Sequence, residues 1–94
     1  MQKTIENILY ENLAYAVIVQ ALVDYKKALY HIEKNKANLY DFKTVYEVER
    51  FFNSESPFIH LIFQKSDPKK YIIKARELIL QGKFNINLKG GLFI

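Results

Sequence analysis

The chain has no cysteine and no tryptophan, and only three glycines, two prolines and one methionine among its 94 residues. Without cysteine there is no disulfide framework, no thiolate metal site and no sulfur redox chemistry, which suits a reducing compartment. The glycines are Gly82, Gly90 and Gly91, all near the end, so no glycine-rich phosphate loop can form earlier in the chain. The longest nearly unbroken apolar run, 14–23 with Gln20 inside it, falls well short of the roughly 20 residues needed to span a bilayer. Glu6, Asn7, Glu11 and Asn12 interrupt the apolar positions that a signal peptide would need. The expectation is a soluble, cytoplasmic protein that does not associate with membranes.

What is present is a folding composition. Half of the residues are hydrophobic and 26% are charged, which excludes the disordered class. The length suits one domain with a small core, because a chain this short buries only about 60–65% of the surface it exposes when unfolded. The net charge of +4 is unevenly placed: from residue 65 onward seven basic residues face only Asp67 and Glu77. A basic end can meet phosphates or acidic surfaces. Twelve of the fourteen basic residues are lysine, however, and arginine is the residue favoured for bidentate phosphate and guanine contacts. Abundant Lys, Asn, Ile and Tyr also follow from an AT-rich coding sequence.

Periodicity predicts helices. From Ile5 to about Lys34 there is no Pro or Gly, and Thr4 can cap the start. Ile18, Leu22, Tyr25, Leu29 and Ile32 follow at steps of four and three, forming one apolar stripe, while Ile5, Ile8, Leu9, Leu13 and Ala16 form another on a different side. Either the helix breaks near Glu11–Asn12 or its two halves bury different faces; one long helix is preferred, and its middle then needs covering on more than one side. Asn38 caps a second helix with Asp41 in the reciprocal position, and Phe42, Val45, Tyr46, Glu49 and Phe52 fall on one side of it. Ser56-Pro57 and Asp67-Pro68 open two more helices. Residues 58–63 are apolar enough for a buried strand, but the Ser-Pro start favours a short helix. Tyr71, Ile72, Ala75, Leu78 and Ile79 make the face of the last helix, which Gly82 ends. Phe84, Ile86 and Leu88 then alternate with polar residues, as in a half-buried strand.

The predicted fold is therefore all-α: four helices at about 4–34, 39–53, 57–64 and 68–81, making a compact domain over 1–82, with an extended tail over 83–94. A lone strand leaves its backbone groups unpaired, so the tail is expected either to pair with its copy in a homodimer or join a partner's sheet edge, or, with equal weight, to remain mobile while the chain is alone.

Catalytic chemistry finds little support. His31 and His60 belong to different elements, without the spacing of zinc ligands. Ser54, Ser56 and Ser66 stand at helix starts, where capping accounts for them. Glu47 and Glu49 diverge on a helix. No catalytic residue, metal site or cofactor is expected. The aromatics are more informative: Tyr10, Tyr15, Tyr30 and Tyr40 lie off the best apolar stripes, where tyrosine serves either as the rim of a core or as an interface anchor. With Phe84, Ile86 and Leu88 they form the expected partner-binding set. The alternative is a nucleic-acid surface made by Lys65, Lys69, Lys70, Lys74, Arg76 and Lys83.

Residues 18–29, the stretch Glu47-Val48-Glu49-Arg50-Phe51-Phe52-Asn53-Ser54, and Tyr71-Ile72-Ile73 resemble a group of small helical proteins encoded by phages, prophages and integrative elements of Gram-positive bacteria. Relatives often place an aromatic shortly after that serine, where this chain has Ser56-Pro57. The resemblance implies a mobile-element origin and no catalytic site. The expected function is a non-catalytic protein-interaction module acting on a host protein, with inhibition of a host defence system, in the manner of anti-CRISPR proteins, as its specific form.

Overall fold

The computed structural model describes residues 5–63 and 66–85, and among these the chain is helical with no strand. The four helices are α1 (Ile5–Glu33), α2 (Leu39–Phe52), α3 (Pro57–Ile62) and α4 (Pro68–Leu80). α1 is the central rod: α2, α3 and α4 all pack on it, and α4 also touches α2. Its stripe of Ile18, Leu22, Tyr25 and Leu29 is buried, as its spacing predicts, together with Ala14 and Ala28. Ile59 and Ile62 of α3, Ile72, Ala75 and Ile79 of α4, and Val48 and Phe52 of α2 close over it.

The helix starts follow cap chemistry. Asn38 Oδ1 accepts from the Asp41 N–H at 3.0 Å, and Asp41 Oδ2 accepts from the Asn38 N–H at 3.1 Å, so each residue satisfies a backbone donor of the other. Asn38→Ala is expected to cost about 1 kcal/mol, measured as a lower urea midpoint at unchanged slope. Ser56 and Asp67 cap α3 and α4, each followed by proline in the first turn. Two helices end by the same device. Asn35 (φ 56°) follows α1 and Gly82 (φ 71°) follows α4 in the left-handed region. The next N–H reaches five residues back in both cases, Lys36 to His31 O at 2.9 Å and Lys83 to Leu78 O at 2.8 Å.

Two expectations are corrected. On α2 the buried positions are Asp41, Thr44, Val48 and Phe52, while Phe42 and Tyr46 are exposed. The helix is rolled away from its most aromatic side because Asp41, part of the cap, also meets His31 Nδ1 of α1 at 3.1 Å. Phe84, expected on an extended tail as a partner anchor, is only 2% exposed and belongs to the core. The turn at Gly82 sends the chain back across α1, where Lys26 Nζ donates to the Phe84 carbonyl at 3.3 Å. The core thus extends beyond residue 82. Thr4, Ile86, Leu88 and the proposed pairing of the tail lie outside the described residues.

Candidate functional site

An open groove of about 540 Å³ runs between α1 and α2. It exists because α1 contributes small side chains, Ala16 and Ala21, where it faces the long ones of α2, Tyr40 and Phe51. Val17 and Val48 add to its apolar lining. Tyr40 and Phe51 lie eleven residues apart on one helix, which sets the groove's length at about 16 Å. Tyr40, 71% exposed, stands free at one end, whereas Phe51 is half-buried at the other. Polar groups edge the groove. Gln20 Nε2 donates to Asp24 Oδ1 at 2.9 Å, and Glu47 lies 3.8 Å from Lys43. The ionisable carboxylates of the lining are Asp24 and Glu47, and no basic side chain joins them there.

Next to one end of this groove, His31 and Asp41 line a smaller depression with Thr44, Tyr40 and Lys27. The hydrogen bond from the Asn38 N–H, followed by the His31 contact, holds the Asp41 carboxyl below its usual range. A depressed carboxyl contributes stability above its ordinary pKa of about 4, and that contribution is lost as pH falls through the lower folded value. Both Asp41 oxygens are occupied in joining the end of α1 to the start of α2. A third hollow contains Tyr25, Glu49 and Arg76. Glu49 Oε2 accepts from Tyr25 Oη at 2.6 Å and from Arg76 Nη1 at 2.9 Å, tying α1, α2 and α4 together. Among the described residues no cluster of three His, Cys, Asp or Glu is placed to hold a metal ion. Among them also, no helix is long and apolar enough to cross a membrane.

The tyrosines separate into different roles. Tyr40 borders the groove, and Tyr30 is exposed with Lys34 Nζ 5.8 Å from its ring centre. Tyr10 lies against Phe58, ring centres 5.6 Å apart, and Tyr15 is half-buried on the core. Two of the basic residues of the alternative surface have acidic neighbours. Arg76 is engaged by Glu49, and Lys74 lies 3.8 Å from Glu77. Lys69, Lys70 and Lys83 are exposed, and Lys65 is outside the described residues. The groove itself was not legible in sequence, because it depends on Ala16 and Ala21 being set against a second helix. The one usable signal was Tyr40, an aromatic off the apolar stripe. No protein-family model matches the chain, and no curated protein or solved structure matches it either.

Proposed function

We propose that the protein is a non-catalytic interaction module whose α1–α2 groove receives an apolar helical segment of a partner protein. The observation that supports this reading is the open apolar groove with an exposed Tyr40 at its end. Its length accommodates about three turns of helix, and helix-in-groove docking uses apolar anchors spaced along such a channel. Asp24 and Glu47 favour basic residues flanking the partner's apolar face. The partner proposed is a host protein, and the proposed form of the activity is occlusion of a host defence component; the resemblance to mobile-element proteins is what supports this choice.

Tyr40→Ala and Val17→Asp should each abolish capture of that partner while leaving the fold intact, since neither side chain belongs to the buried core. The reading predicts that a Lys69→Glu, Lys70→Glu double variant still binds. If capture instead follows those lysines, and weakens by orders of magnitude between about 50 and 200 mM salt, the partner is a nucleic acid and the groove reading fails.

A further inference from the structure

α1 carries a second, mostly apolar stripe that the fold leaves largely exposed. Ile5, Leu9, Asn12, Ala16, Val19, Val23, Lys26 and Tyr30 follow one another at alternating steps of four and three, the spacing of a coiled-coil seam. The stripe spans about 38 Å of helix. α2, α3 and α4 pack mainly on the other side, so Ile5 is 77% exposed, Leu9 62%, Val23 44% and Tyr30 56%, while Val19 is half-buried against the core and Ala16 also edges the α1–α2 groove. Val23, Lys26, Lys27 and Tyr30 also border a shallow apolar hollow on this face.

We infer that this stripe is the interface of a homodimer in which two α1 helices pack antiparallel about a two-fold axis. Charge selects the occupant. Along one edge of the seam Glu6 lies at the N-terminal end, and Lys27 and Lys34 at the C-terminal end. A second copy turned end for end presents the complement of this pattern, setting Glu6 across from Lys27 twice by symmetry. The same arrangement places Ile5 opposite Tyr30, Leu9 opposite Lys26, Asn12 opposite Val23 and Ala16 opposite Val19. Small residues then meet at the centre, where the helices cross closest. The stem of Lys26 covers Leu9 while its ammonium stays on the Phe84 carbonyl of its own chain. A parallel copy would instead stack Lys26 on Lys26 within the seam, which like-charge repulsion disfavours.

Sedimentation equilibrium of the full chain across the micromolar range tests this, with twice the 11.1 kDa chain mass as the expected result. Leu9→Glu and Val23→Glu should each weaken the dimer by about tenfold or more, because each puts a charge into an apolar seam. Helical circular dichroism should be retained, since both side chains are exposed in the single chain. Glu6→Lys and Lys27→Glu should each weaken association, and the double variant carrying both should recover it. Val17→Asp, in the groove, should leave the dimer unchanged, so this inference and the groove reading fail separately. A monomer throughout overturns the proposal. So does a dimer indifferent to Leu9→Glu and Val23→Glu, which would place contact on the groove or on residues 86–94. A double variant no better than the single ones overturns the antiparallel arrangement.

Discussion

Replacing Phe52 by alanine is expected to destabilise the protein by about 3–5 kcal/mol, the range for truncating a buried aromatic. Its ring is wholly buried and is the centre of an aromatic group joining three elements. Phe51 lies edge-on with ring centres 5.7 Å apart, Phe63 edge-on at 5.8 Å, and Tyr71 stacked at 6.0 Å. Phe63 and Tyr71 also touch at 5.1 Å. Truncation would empty a volume that neither α2 nor α4 can close without losing its own contacts with α1, and the aromatic pair energies would be lost as well. Urea unfolding checks this: a midpoint shift equivalent to less than about 1 kcal/mol would mean that the group repacks. Ile18, Leu22 and Leu29, buried on α1, are the natural companions in the same series.

Raising the pH should unfold the protein steeply above about pH 10. Burial pushes the Tyr71 phenol up to about 12. Tyr25 is pushed up further, first by burial and then by its hydrogen bond to Glu49 and the charge of that carboxylate. Folded-state values above the unfolded one make the folded chain the stronger proton binder. Stability from these groups is therefore complete below about pH 10 and is lost as pH rises towards the folded values. Between about pH 10 and 12 the loss approaches 1.4 kcal/mol per pH unit for each tyrosine. Solvent reaches part of both phenols and screens the effect, so the loss over two units is about 2–3 kcal/mol, still a sizeable share of the stability of a small domain. Thermal melts across this range should show the fall, and Tyr25→Phe should make it about half as steep. An unchanged slope in that variant would show that Tyr25 ionises freely in the folded protein.

Much of the fold was legible because helix starts are local chemistry. Asn38 with Asp41, Ser56 before Pro57, and Asp67 before Pro68 each lie within four residues of what they cap, and each element begins where these residues put it. The same Ser-Pro start resolved the ambiguous 58–63 segment as the helix that the structure contains. The roll of α2 was not legible. Hydrophobicity pointed to Phe42 and Tyr46, whereas a hydrogen bond between residues ten apart in sequence turned Asp41 inward. Phe84 was misread for a related reason: alternation is a two-residue signal, and the return of the chain to α1 depends on the backbone turn at Gly82. Tyr25, Glu49 and Arg76 come together across separations of 24 and 27 residues, which no spacing rule connects. The largely exposed stripe of α1 was visible in part, since Ile5, Leu9 and Ala16 stood on a side that the main stripe does not use.

The central position of α1 also governs how the chain is made. α1 is complete at Glu33, but the last helix that covers it ends only at Leu80. At about 5–20 residues per second, synthesis leaves roughly 2–9 s between those two points. A helix of this length without glycine or proline can form in that interval, with apolar side chains showing both on the face awaiting α2, α3 and α4 and on the opposite one. Nascent chains on neighbouring ribosomes of one message would then expose the same sticky rod side by side. Asn12, Gln20, Asp24 and Lys26, spread along it, are the polar interruptions that keep this rod from being apolar all round before the rest of the chain arrives.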